Sequence, residues 1–226
     1  FFTSKEENIM KQKRYKKFKK FLIGIVLISG ILCSNQQNAQ AKDGYICKHG
    51  LHTFGDHTIN GGVGNYGYTN RYYWIHNAFS STYEAYIKKA VSQWVHTTDS
   101  LGVTTPISIK KTSTRSKSVF DFLKGTLDVG VLGQTSFYKH GGTLLKLNKK
   151  GALSKNYSYA YIKLDTSTLN SIPAAQRQAT CAHELGHAMG LSHHMISSSI
   201  MCQYGDGRNA KRASKNDLKA INHLYK

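Results

Sequence analysis

The string His183-Glu184-Leu185-Gly186-His187-Ala188-Met189-Gly190-Leu191-Ser192-His193 constrains this chain more than any other stretch. On a helix of about 3.6 residues per turn, His183 and His187 stand one above the other on a single face. Glu184 lies about 100° round from His183, within reach of a water at a metal without being a ligand itself. Gly190 accepts the positive φ that ends a helix, and the turn brings His193 back towards the other two imidazoles. Three protein ligands leave the fourth zinc position open, the mark of a catalytic rather than a structural site. Zinc there makes water reactive near neutral pH and polarises a carbonyl. Glu184 can take the water's proton and deliver it to a leaving amine. A surface helix that happens to carry histidines is the plain alternative; Gly190 and His193 at fixed offsets weigh against it.

This string resembles the H-E-x-x-H-x-x-G-x-x-H signature of the metzincin metallopeptidases. The resemblance implies an α+β, zincin-like catalytic domain: a mixed twisted sheet, two long helices, a Met-containing turn and a C-terminal helix. It implies one catalytic zinc ion on His183, His187 and His193, with Glu184 as general base. Ser199-Ile200-Met201 stands where the turn belongs, and by resemblance Met201 packs under the histidine rings; an ordinary core methionine is the alternative. Among metzincins the chain is most similar to the matrixins. Residues 214–225 look like the helix that closes the matrixin catalytic domain, and residues 157–165 like the edge strand that lines its substrate cleft. The resemblance is fullest over residues 157–225, weaker over 71–132 and absent before that.

Two departures matter. His194 follows the third histidine, a position that separates metzincin subfamilies, although Gly190 sets the register in favour of His193. The acidic clusters that bind calcium in animal matrixins are not visible, which argues against calcium dependence. In the implied fold a peptide adds itself as one more strand along residues 157–163, with one side chain entering a pocket beside His187. Gln203 and Tyr204 are candidate pocket residues by position alone.

Of the four cysteines, Cys181 lies two residues before the first histidine and Cys202 directly follows Met201. If the turn packs under the helix, these sulfurs approach each other. A disulfide there would close a loop of about 20 residues, worth about 3 kcal/mol; two buried thiols are the alternative. Cys47 is left over. The resemblance suggests a latency thiolate that fills the open zinc position, but residues 45–50 do not match the family's switch motif, and an unpaired thiol is the alternative.

The chain begins with the layout of a secretory signal peptide: a start at Met10, a basic run over 11–20, an apolar stretch over 21–33 and Ala39-Gln40-Ala41 as cleavage site. The apolar stretch is short against the roughly 20 residues of a membrane span, and an uncleaved anchor is the alternative. The expected organisation is 1–41 leader, 42–70 an irregular segment that could serve as a short propeptide, and 71–226 the catalytic domain. His49, His52, His57 and Asp56 in the irregular segment form a weak candidate for a second metal site.

Within the domain, the expected elements are a strand over 71–76, a helix over 81–98, and strands over 105–110 and 127–132. A helical or loop stretch is expected over 116–124 and a basic loop over 137–155, with Pro173 at the entry of the active-site helix. The 31 lysines and arginines against 12 acidic residues give a formal charge of +19. That favours anionic surroundings such as wall polymers or glycans. The basic residues are scattered, and no nucleic-acid module is present, so nucleic acid is not an expected partner.

The expected protein is a secreted, monomeric zinc endopeptidase acting on protein or peptide substrates, and the lysine-heavy leader suggests a Gram-positive source. A zinc-dependent peptidoglycan amide hydrolase shares the site, with the positive charge as its only support. A non-catalytic zinc-binding protein is disfavoured because a structural site has no use for Glu184.

Overall fold

The computed structural model describes residues 47–48, 51–95 and 101–226. The leader, His49 and the side chain of Cys47 lie outside the described residues.

A six-stranded mixed sheet carries the molecule's core. Its strands are β3 (Arg71–Ile75), β4 (Ile109–Lys111), β5 (Phe120–Lys124), β6 (Gly133–Tyr138), β7 (Leu144–Leu145) and β8 (Tyr159–Leu164), in the order β4-β3-β5-β8-β6-β7. Strands β4, β3, β5 and β8 run parallel; β6 is antiparallel to β8, and β7 to β6. A separate two-stranded ribbon pairs β1 (Cys47–Lys48) with β2 (Leu51–His52).

Two long helices cover one face of the sheet. In α1 (Ser81–Val95), Tyr83, Ile87, Ala90, Val91 and Trp94 recur at helical spacing and are all buried, the period that turns one face inward. The short helix α2 (Thr166–Leu169) follows β8 and is capped by Asp165, which accepts from the amides of Ser167 and Thr168. Helix α3 (Ala174–Ala188) begins after Pro173, whose φ of −57° suits helix entry. It packs against α1, β6 and β8, and Trp94 Nε1 donates to the Ala182 carbonyl at 2.9 Å. Helix α4 (Lys215–Tyr225) opens with a capping box between Ser214 and Asp217. Among the described residues no helix is long and apolar enough to cross a membrane.

Several expectations are corrected here. The stretch read as an edge strand, β8, is interior, paired parallel with β5 and antiparallel with β6. Its residues alternate between the buried Ala160, Ile162 and Leu164 and a tyrosine-rich opposite face. That alternation marks a sheet covered by helices on one side only, and it looks the same at the edge as in the middle. On that side the sheet ends in β6 and the two-residue β7, which pairs only with Phe137 and Tyr138. Residues 127–132 are a loop, and 120–124, read as helix or loop, form β5. There Phe120 and Phe122 point into the core while Asp121 is held by Arg115 Nε at 2.8 Å. The basic loop over 137–155 contains the end of β6 and the short β7.

Residues 51–64 are irregular but not detached. Phe54, Ile59 and Val63 are buried in the same core as the sheet. Asn60 N donates to the Tyr157 carbonyl at 2.7 Å and Tyr157 N to that of Thr58 at 3.1 Å.

Candidate active site

Helix α3 ends in a Schellman motif. Gly190 N donates to the His187 carbonyl and Leu191 N to the Gly186 carbonyl, with Gly190 at φ +101°. A Cβ on Gly190 would also press on the His57 carbonyl and Leu224 Cδ1, both at 3.0 Å. Glycine is thus required here by conformation and by space. The reversal carries His193 back to α3, where His183, His187 and His193 offer ligand atoms all within 4.8 Å of one another.

Each ring is oriented from behind. His183 Nδ1 donates to the Ile200 carbonyl at 2.8 Å and His187 Nδ1 to the Leu191 carbonyl at 2.7 Å. A carbonyl can only accept, so both Nδ1 atoms carry the proton and both Nε2 atoms present lone pairs. His187 Nε2 lies 3.0 Å from His183 Nε2 and 3.1 Å from His193 Nε2. Zinc–nitrogen bonds of about 2.0–2.1 Å in a tetrahedron set donors about 3.3 Å apart, so this donor set fits zinc. Burial, and then the neighbouring imidazoles, push His183 and His187 well below the ordinary histidine value; burial takes His193 down to about 4. All three are neutral at physiological pH, the form that ligates metal. Gln203 supports the third ring, its amide 3.0 Å from His193 Nδ1.

The turn after the third histidine packs against α3. Met201 is fully buried against Gly186 and Trp94, where Gly186 leaves room that a Cβ would fill. The turn is pinned by Asp217 of α4, a fully buried carboxylate. It accepts from Ile200 N at 3.1 Å, Ser214 N at 2.6 Å, the Ser199 hydroxyl and His52 Nε2 at 3.0 Å. The Ile200 carbonyl orients His183, so α4 holds the first imidazole through the turn. Nothing in the spacing of Asp217 or Ser199 pointed to this; the capping-box pattern Ser214-x-x-Asp217 was the only available signal.

Glu184 faces the same cavity. Burial raises its carboxyl to about 7, against the pull of the Thr135 hydroxyl and of Arg208. Thr135 Oγ1 sits 2.8 Å from Glu184 Oε2 and 2.9 Å from the Glu184 carbonyl. Gly133, at the start of β6, lets Glu184 approach the strand: a Cβ there would lie 2.7 Å from Glu184 Cγ. A cavity of about 260 Å³ is lined by His183, Glu184 and His193 together with Thr180, Gln203, Tyr204 and Arg208. Gln203 and Tyr204 therefore do line a pocket, and it lies on the His193 side rather than beside His187.

The cysteine expectation is corrected. Cys181 and Cys202 are both buried, free thiols. Burial pushes the Cys181 thiol up to about 12 and raises that of Cys202, so neither is a thiolate at neutral pH. Of the residues read as a second metal site, the described ones do not converge, and His49 lies outside the described residues. His52 goes to Asp217, Asp56 to His223 at 3.2 Å and His57 to Asn156 at 3.3 Å, three separate partners. Phe54 instead packs 5.4 Å from the His187 ring, and Thr53 bridges to Leu191.

Two solved structures are similar over part of the chain. High choriolytic enzyme 1, a hatching enzyme zinc-protease from Oryzias latipes (medaka fish), aligns at 16% identity and a TM-score of 0.40, covering 70% of this chain and 90% of that one. The structure of myroilysin aligns at 13% identity and a TM-score of 0.32, covering 61% of this chain and 54% of that one. A search of curated protein sequences returns no match. The family model described as Matrixin matches residues 73–226. With that model spanning both the sheet and the three-histidine site, the chain belongs to the matrixin family of zinc metalloproteases.

Proposed function

We propose that this matrixin is an exported endopeptidase in which His183, His187 and His193 hold the catalytic zinc and Glu184 moves the proton. The convergence of three neutral Nε2 donors on one point, with the Glu184 carboxyl lining the same cavity, carries this reading. Bound there, zinc supplies a Lewis acid that activates water and polarises the scissile carbonyl. The chain's own residues do the rest. Glu184, raised towards neutrality by burial, takes a proton from the attacking water and returns it to the leaving amine. Among the described residues no strand pairs with the outer edge of Gly133–Ser136, so an extended peptide can pair with β6 and present its carbonyl beside Glu184. The leader-like sequence over 1–41 supports export.

Glu184→Gln in the zinc-loaded full chain tests this, with an unfolded protein as substrate and fragments read by mass spectrometry. Loss of general-base function is expected to lower the rate by about 10²–10⁴, with one zinc per chain retained. Equal cutting by both forms would remove Glu184 from the mechanism. Zinc binding by both with cutting by neither would overturn the endopeptidase reading, and release from peptidoglycan would then favour the wall hydrolase.

A further inference from the structure

Arg208 is a charged pocket residue whose chemistry the reaction does not use. It is only 4% exposed, yet it lines the cavity that begins at the histidines. Its Nη2 donates to Thr180 Oγ1 at 2.9 Å, while its Nε is buried with no acceptor. Among the described residues no carboxylate forms an ion pair with it. Burial lowers it to about 10, opposed by the charge of Glu184, so it stays protonated at neutral pH. A guanidinium taken out of water without a directly paired carboxylate is costly, and natural structures hold such groups where something else completes them.

We infer that Arg208 is a specificity residue that receives a substrate carboxylate in this pocket, so that the enzyme prefers an acidic side chain or a free chain end beside the cut. The inference rests on the peptidase reading and adds the substrate class to it. The guanidinium presents a planar donor fork suited to a carboxylate. Thr180 takes one donor, and Nε has no acceptor within the protein. A pocket of about 260 Å³ accommodates a side chain of glutamate size. The basic surface of the chain, +19 overall, favours the approach of acidic peptides.

The test uses the zinc-loaded full chain and a peptide mixture carrying Glu, Gln, Leu and Lys equally at every position, in free-acid and C-terminal amide forms. Hydrogen bonds to a charged partner predict a preference of about 10- to 100-fold for Glu over Gln at one position flanking the cut. If the carboxylate is a chain end, free-acid peptides are favoured instead and the cuts cluster near their termini. In Arg208→Gln the ratio falls to about 1. In Arg208→Lys, which keeps the charge and loses the fork, it is intermediate. Zinc stoichiometry checks that each variant is folded.

Cutting by the native chain with no carboxylate preference overturns the inference and leaves the peptidase reading intact. So does an equal fall in rate on all peptides in Arg208→Gln, which would assign Arg208 to tuning Glu184. If nothing is cut, calorimetry with N-acetylglutamate α-amide against N-acetylglutamine α-amide decides separately. Binding of the first that weakens at least about tenfold in Arg208→Gln supports the pocket while the peptidase reading fails. No difference between the two probes overturns it.

Discussion

Thr135 has one hydroxyl proton and two acceptors within reach of it, the Glu184 side chain and the Glu184 carbonyl. When Glu184 is ionised, the hydroxyl serves it best by donating to the carboxylate. When Glu184 is protonated, its own O–H can donate to Thr135 Oγ1, which then turns to the carbonyl. The threonine thus follows the charge of the general base and favours the ionised form. Burial works the other way and dominates. Since the base must be ionised to accept a proton, activity falls as pH drops through the Glu184 value. Thr135→Val removes the donor at nearly constant volume, so Glu184 rises further and the acid limb of kcat against pH moves to higher pH. An unmoved limb in a pH–rate profile would make Thr135 a packing residue only. The ligands and Glu184 are legible in sequence because their spacing is set by one helix and one turn. Thr135, Gly133 and Arg208 are brought to the site by tertiary packing, from positions 49, 51 and 24 residues away from Glu184, and no local pattern marks them.

Among the elements, α4 is the least expected contributor, since it touches no reacting group. Its Asp217 instead links four donors from three segments: the turn, the helix cap and the residue His52. Burial pushes the Asp217 carboxyl up, but the hydrogen bond and charge of His52, with Ser199 and Ser214, more than offset it, and the net shift is downward. A carboxyl held below its unfolded value, ordinarily about 3.9, adds stability above that pH and loses it as pH falls through the lower folded value. Asp217→Asn is therefore expected to cost about 2–3 kcal/mol at neutral pH, from charge-assisted bonds lost in a buried site. The difference from the native chain should begin to shrink below about pH 4, where the unfolded chain's carboxyl takes up its proton, and be lost as pH falls through the lower folded value. Urea unfolding at several pH values reads this directly, and a difference independent of pH would deny Asp217 its charge. Helix α1 was legible because periodicity is local, and α4 through the resemblance of residues 214–225 to the matrixin C-terminal helix. The place of β8 in the sheet was not, because strand order depends on which strands pair across the chain. The Cys181–Cys202 expectation failed for a related reason. Both sulfurs flank the interface between α3 and the turn, but sequence spacing does not decide whether their Cβ vectors meet.

At the scale of the molecule, the boundary of the catalytic unit is set by what its core contains. Reading periodicity alone placed the domain's start at residue 71, because residues 51–64 have neither helical nor strand pattern. Yet this stretch covers the turn that presents the third histidine: Phe54 N donates to the Gly190 carbonyl and Ser192 N to the His52 carbonyl, at 3.1 and 3.0 Å. It also places Phe54 against both Phe137 and His187. Burying Phe54, Ile59 and Val63 is worth about 1.5–3 kcal/mol each, a large share of the roughly 5–15 kcal/mol that holds a domain together. Removing the segment would further strip cover from Tyr157 and leave Asp217 without His52. A chain beginning at Arg71 is therefore expected to lose cooperative unfolding and equimolar zinc binding, whereas one beginning at Leu51 keeps both. Near-ultraviolet circular dichroism and zinc stoichiometry of the two truncations distinguish these outcomes. Any processing that leaves an active enzyme must then cut before Leu51, which the N-terminal residue of the active form would reveal. A folded, zinc-loaded chain from Arg71 onward would show instead that residues 51–64 are a removable cover.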